Sequence, residues 1–241
     1  PYSMGETAEN VAEKYHISRD RQDQFAYESQ LKWSQAKERG DFQDEIIPVS
    51  IPQRKKDDII FDTDEHPRLS TIEVLGGLKP AFKKDGTVTA GNSSGINDGA
   101  AACLIVSEAF LKQHNLTPIA RIKSIGVAGV DPAYMGIGPV PATQKALKNA
   151  QKDIGDIDVF ELNEAFAAQA VACMDELAID PSKVNKNGGS IAIGHPLGAS
   201  GTRISATLLH QMKKNPKLKL GLATMCIGVG QGSAILFENT Q

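Results

Sequence analysis

Three short runs in the last third of this 241-residue chain hold the groups that can do chemistry. The first is Asn163-Glu164-Ala165-Phe166-Ala167. The second spans residues 188–198 around Gly194-His195-Pro196. The third is Cys226-Ile227-Gly228-Val229-Gly230-Gln231-Gly232. Each sets one reactive side chain (an amide, an imidazole, a thiol) among small residues. Glycine beside a reactive group lets the backbone come close to a substrate and take turns other residues avoid. An imidazole near neutral pKa can take a proton from a thiol and return it. A thiolate attacks and leaves easily, so it suits an acyl carrier. Backbone N–H groups in a glycine turn can hold a developing oxyanion. Asn163, His195 and Cys226 together point to making or breaking a carbon–carbon bond beside a thioester. Such a reaction needs an acyl-carrying nucleophile, an acid/base for the α-carbon and donors for two oxyanions.

Each residue also has a plainer reading. A lone histidine is more often structural or on the surface, and His16, His66, His114 and His210 are read that way. His195 differs because rigid, small residues flank it on both sides. A cysteine at a strand end is usually packing; the glycines after Cys226 would instead expose its sulfur and the amides beyond. Asn163 precedes a helical run, where it serves equally as an N-cap. Cys103 and Cys173 are read as core thiols. The three cysteines are far apart and odd in number, so they form no disulfide framework, and no Cys/His spacing fits zinc. A reducing, cytoplasmic compartment fits them best.

The elements that must position these groups are partly legible. Thr7 and Ser18 are candidate caps for two surface helices, the second with Phe25, Ser29, Trp33 and Ala36 on one face and Gly40 as its stop. Alternating Ile47, Val49 and Ile51, a charged turn over residues 54–58 and Ile59-Ile60-Phe61 predict a hairpin. Residues 62–86 read as irregular. A polar loop over residues 91–99 leads into the apolar segment 100–106. From residue 119 onward strands alternate with helices: strands over 119–127, 157–162, 220–225 and 234–237, helices over 141–150, 164–178 and 199–212. That is an α/β layered domain of ordinary size. A hydrophobic content of 41% supports a real core, and a net charge of −3 gives no footprint for nucleic acid or a membrane surface. No apolar run approaches the roughly 20 residues that span a bilayer.

At these motifs the sequence resembles the thiolase family. Further matching runs are residues 4–10, Pro80-Ala81-Phe82, residues 86–101, Met135-Gly136 and Gly138-Pro139. The resemblance implies a five-layered αβαβα fold of two similar halves with a loop domain over coenzyme A. Residues 1–96 would be the loop domain, 97–117 the last strand and helix of the first half, and 118–241 the whole second half. It implies reversible Claisen condensation of two acetyl-CoA, or thiolysis of a 3-ketoacyl-CoA in fatty acid metabolism, with acyl-CoA as substrate and no other cofactor or metal. His195 would activate the nucleophilic cysteine, Asn163 would hold a water in the same oxyanion hole, Cys226 would move the α-carbon proton, and Gly228 would lend its amide to the second oxyanion hole. Ser94, Ala90, Phe82, Phe166, Met4, Met135 and Arg68 would line or contact coenzyme A. Ser3 stands where some relatives carry a histidine.

One departure is large. The family's acyl-accepting cysteine lies in the first half in a Cys-Gly-Ser-Gly-like setting, and this sequence has no such motif. The expectation is a truncated thiolase, or one fragment of a complete one, with no turnover unless a partner chain supplies the missing half. Segment 100–106 would then be an unpaired sheet edge, which invites association, and a homodimer or tetramer is expected. Two alternatives stand beside this: a non-catalytic coenzyme A-binding or assembly fragment, and a ketoacyl synthase of the same fold. The Cys226 turn argues against the latter, which typically uses a second histidine there.

Overall fold

The computed structural model describes residues 2–241. Its first element, α1 (Met4–Lys14), is held by a capping box: the Ser3 hydroxyl accepts from the Glu6 amide, and the Glu6 carboxylate accepts from the Ser3 amide. The cap is therefore Ser3 and not Thr7, whose hydroxyl donates back to the Met4 carbonyl inside the first turn. Helix α2 (Arg19–Arg39) starts at Ser18 and stops at Gly40 in the left-handed region, φ 73°, as expected. Its buried face is more polar than expected. Gln22, Asp23, Ser29 and Gln30 are buried, whereas Phe25 and Trp33 are half-buried. Other segments supply partners for most of those groups: Gln22 donates to Thr87, Asp23 accepts from Asn92, and Gln30 donates to the Ile191 carbonyl, while Gln22 Oε1 stays buried without a partner.

The hairpin forms as β1 (Val49–Ile51) antiparallel to β2 (Ile59–Phe61), with every strand side chain exposed. Within the stretch read as irregular, Thr71 caps a short helix, α3 (Ile72–Gly76). Segment 100–106 takes no regular structure and is almost wholly exposed, including Leu104 and Ile105. The expected strand is absent because no described segment offers it a ladder. Cys103 is exposed with it, against its reading as a core thiol. Helix α4 (Glu108–His114) follows, capped by Ser107 and closed by Asn115 in the left-handed region.

Beyond this the chain builds one mixed sheet. Its elements are β3 (Ala120–Gly129), α5 (Pro139–Ala150), β4 (Val159–Leu162), α6 (Ala167–Leu177), α7 (Ser190–Ile193), α8 (Ser200–Lys214), β5 (Leu220–Ile227) and β6 (Gln231–Asn239). The sheet order is β3-β6-β5-β4, with β3/β6 and β6/β5 antiparallel and β5/β4 parallel. Alternate side chains point to opposite faces. Phe160, Leu162, Leu222 and Leu236 pack with α5 and α6, whereas Val159, Ala223 and Phe237 pack with Ile204, Leu208 and Met212 of α8. Strand β4 is buried on both faces, as a parallel strand covered by two helix layers must be. Residues 120–239 thus form a helix–sheet–helix sandwich.

Both sheet edges are occupied or charged. Strand β3 bulges between Ile122 and Ser124, and Arg121 and Lys123 on it face Glu238 at 3.7 and 3.2 Å. On the β4 side, the Asn185 side chain imitates a neighbouring strand: its Oδ1 accepts from the Leu162 amide and its Nδ2 donates to the Leu162 carbonyl, both at 2.8 Å. Among the described residues no helix is long and apolar enough to cross a membrane.

Helix α5 sits directly on β3 at Gly126, where a Cβ would come within 2.0 Å of the Ala142 carbonyl oxygen. Gly126→Ala must push the helix off the sheet. Urea unfolding is expected to show a loss of about 1–3 kcal/mol, the usual cost of overpacking.

Candidate active site

Strand β4 delivers the chain into a turn at residues 163–166. The Asn163 amide donates to the Thr224 carbonyl of β5 at 3.0 Å, which anchors the turn two residues before Cys226. The N-cap of α6 is Phe166, so Asn163 is free of the capping role that its sequence position allowed. Its side chain turns inward and is 1% exposed. There Oδ1 accepts from the Ser190 hydroxyl at 2.7 Å, and Nδ2 stands 3.3 Å from His195 Nε2.

His195 reaches this point through Gly194, whose φ of 95° belongs to glycine. A Cβ on Gly194 would strike Asn97 Oδ1 at 2.2 Å. The His195 backbone amide is fixed by the Gly95 carbonyl (3.1 Å) and Asn97 Oδ1 (3.2 Å). Its Nδ1 lies 2.5 Å from Ser200 Oγ. The Ser200 hydroxyl also lies 2.9 Å from the Pro196 carbonyl, which accepts from the Ala199 and Ser200 amides as well. With its Oδ1 taken by Ser190, Asn163 offers Nδ2–H to Nε2, and the tautomer that matches it carries its hydrogen on Nδ1 toward Ser200. This tautomer follows from the bonding partners. Burial, and then the charge of Arg203, hold the His195 pKa below the ordinary imidazole value. The ring is a neutral base.

Cys226 is 6% exposed, against the expectation that its glycines would bare the sulfur. It packs with Met135, Ala165 and Phe166. Burial pushes its thiol up to about 12, so at rest it is protonated. The turn after it passes Gly228 to Val229 and Gly230, both at positive φ (66° and 85°). A β-branched residue avoids that region, so Val229 marks local strain. No hydrogen bond joins Cys226 to His195. They meet indirectly, through the 163–166 turn that touches both.

Sequence reasoning missed the residue that shapes this turn. Glu164 is 1% exposed, and its carboxylate accepts from the Ser29 hydroxyl (2.7 Å), Asn185 Nδ2 (2.7 Å) and the Ile191 amide (3.1 Å). An acid inside an otherwise apolar run was the available signal. Ser190, Ser200 and Arg203 were missed too; only their small-residue surroundings marked them. Cys173, by contrast, is the buried core thiol expected, donating to the Gly136 carbonyl.

The other predicted residues gather in three contacts. Phe82 meets Phe166 edge-on, with ring centroids 6.0 Å apart. Ser94 bonds the Ala165 carbonyl through its amide and its hydroxyl, each at 3.1 Å. Arg68 donates to the Ala90 carbonyl at 3.2 Å. Met135 is buried, whereas Met4 is exposed and its Sδ would lie 3.9 Å from a Cβ on Gly228. Ser94, Phe82, Phe166 and Met135 therefore border the 163–166 turn and Cys226, while the structure records no contact of Arg68 or Ala90 with that turn. Among the described residues no cluster of His, Cys, Asp and Glu fits a metal ion.

The chain belongs to the thiolase family: the model of the thiolase N-terminal domain matches residues 1–109 and that of the thiolase C-terminal domain matches residues 116–239. The acetyl-CoA acetyltransferase of Thiocystis violacea is 57% identical over 236 residues, which are 98% of this chain and 60% of that protein. Among solved structures, the acetyl-CoA acetyltransferase of Bacillus anthracis superposes with a TM-score of 0.95 at 48% identity, and human mitochondrial 3-ketoacyl-CoA thiolase with 0.92 at 46%. Each match covers 99% of this chain and 60% of the other. The fold is thus the thiolase fold, and the chain spans about 60% of the length of these relatives.

Burial of a neutral His195 has a consequence for stability. The unfolded imidazole binds a proton at higher pH than the native one. As pH falls through about 6.5 the unfolded state gains protons first and stability drops. His66, lowered by burial and by Arg68, acts in the same direction. Glu161, pushed up to about 8 by burial, acts the other way over the same range, so the readout is a difference: in urea unfolding the stability of the native chain relative to His195→Gln is expected to fall between pH 8 and pH 5.

Proposed function

We propose that this chain supplies the proton-handling part of a thiolase active site that makes or cleaves the carbon–carbon bond of a 3-ketoacyl-CoA. The supporting observation is His195 Nε2 held 3.3 Å from the Asn163 amide, on a ring whose burial disfavours charge. In the thiolytic direction, a cysteine thiol outside these residues gives its proton to His195 Nε2 and its sulfur attacks the 3-keto carbon. The carbon–carbon bond then breaks, leaving an acyl thioester on that cysteine and the carbanion of acetyl-CoA. The Cys226 thiol, protonated at rest, gives its proton to that carbanion. Coenzyme A thiol then gives its proton to the Cys226 thiolate and displaces the acyl group, the released cysteine thiolate takes back the proton held on His195, and condensation is the reverse. Once Nε2 has taken that proton it can donate to the first thioester oxygen, beside a water held by Asn163, and the Gly228 amide offers a donor to the second.

Coenzyme A would approach over Ser94, Phe82, Phe166, Met4 and Met135, with Arg68 and Ala90 further out. In this reading residues 1–96 cover the cofactor-like substrate, 97–117 belong to the first half, and 118–241 are the second. The acyl-accepting cysteine comes from a first half or a partner chain, in a homodimer or tetramer of the cytoplasm.

The test adds a separately produced first half, bearing the Cys-Gly-Ser-Gly-like segment of a relative, and follows thiolysis of acetoacetyl-CoA. Turnover is expected only with both parts present, and His195→Ala should lower it by about 10²–10⁴-fold, the usual worth of a positioned acid/base. Steady thiolysis by the 241-residue chain alone overturns the reading. So does labelled acetyl-CoA that lodges on Cys226.

A further inference from the structure

The first turn of α8 presents Ser200 and Arg203 three residues apart, on one face of the helix. Ser200 takes the proton side of His195. Arg203 reaches the same site from the other end: its Nη2 donates to Ser190 Oγ at 2.7 Å, and Ser190 donates on to Asn163 Oδ1. A guanidinium can only donate, and a serine hydroxyl has one proton. With Arg203 on one lone pair, the Ser190 proton is left aimed at Asn163 Oδ1. The Asn163 amide then must present Nδ2–H, and not its oxygen, to His195 Nε2.

We propose that Arg203 is a positioning residue whose guanidinium, acting through Ser190, locks the Asn163 amide and thereby selects the His195 tautomer that leaves Nε2 bare. The bonds from Arg203 to Ser190 and from Ser190 to Asn163 each have one direction, and a bare Nε2 with Nδ1–H on Ser200 completes the chain. Reversing the amide would turn Asn163 Oδ1 toward Nε2, which is favourable only if Nε2 carries the hydrogen, and the base would be lost.

The surroundings of Arg203 support a directing role. Its side chain is 15% exposed, and Nε and Nη1 are buried without hydrogen-bond partners. The nearest carboxylate, Glu161, is 3.8 Å from Nη1, and burial pushes that group up to about 8, which weakens it as a counter-ion. A buried guanidinium with two idle donors and so weak a counter-ion is a poor choice for packing alone. Its one short bond is the one to Ser190.

This rests on His195 being the proton acceptor of the proposed reaction, and the test reads the ring itself. Nitrogen-15 long-range spectra of the histidine-labelled chain, with His195→Gln for assignment, report which ring nitrogen is bare. The native chain is expected to show a bare Nε2 and a protonated Nδ1 on His195. Ser190→Ala and Arg203→Met should lose that single form for a mixture. A native Nε2 that carries the hydrogen overturns the proposal without any variant. An unchanged tautomer in a folded Ser190→Ala also overturns it, as does Arg203→Met that lowers thermal stability while the ring stays as it was. With the first half added, a correct tautomer without thiolytic turnover defeats the functional reading and leaves this one standing.

Discussion

The Glu164 carboxylate is the point on which the site is hung. A buried charge is tolerated only where donors surround it, and here the donors come from three places: Ser29 on α2, Asn185 at the free edge of β4, and the Ile191 amide in α7. The bond from Ser29 is doubled by the Gly189 amide, which donates to the same hydroxyl at 3.0 Å. A Cβ on Gly189 would fall 2.3 Å from the carboxyl carbon, so only glycine lets the chain pass this close. One acid thus fixes the long helix of the first part of the chain, the glycine-rich segment and the 163–166 turn with respect to one another. Asn163 is its neighbour on one side and Ala165, the partner of Ser94, on the other.

Around that anchor the molecule keeps two kinds of interior apart. The sheet faces are packed by aliphatic side chains from α5, α6 and α8. The site is instead a string of polar groups, nearly all satisfied, enclosed between α2, α7 and the first turn of α8. A low-polarity enclosure strengthens each bond in such a string and raises the penalty for a wrong one. It also explains the resting protonation. Burial opposes charge on both reactive groups, so the imidazole stays neutral and the thiol keeps its hydrogen. In the proposed reaction neither group has to shed a proton before substrate arrives.

Much of this was legible in the residues. The strands and helices after residue 119 follow from period-two and helical patterning, and the structure moves their ends by a few residues. Ser18 and Gly40 bracket α2 as cap chemistry requires. The three reactive runs stood out because glycine and alanine around a polar residue are rarely chosen for packing. What stayed hidden was settled by distant partners. The buried face of α2 carries Gln22, Asp23 and Gln30 because residues 65 or more positions away, Thr87 and Asn92 in a loop and Ile191 in α7, supply their bonds. Thr7 resembles a cap as well as Ser3 does, and the choice rests on Glu6 reaching back. Residues 100–106 have the composition of a strand, but a strand exists only by pairing. Cys226 was read as exposed because glycine after it was visible, whereas Phe166 and Met135 over it were not.

The two ends of the sheet behave differently from its faces. At β3 an intending neighbour meets a bulge and two cations; at β4 it meets the amide of Asn185 already seated where its own backbone would go. Such borders discourage lengthening of a ladder. Growth by adding strands, the route to fibres and to swapped sheets, is thereby shut at both margins. A companion polypeptide thus finds more room for contact on the faces of this layer than along its margins.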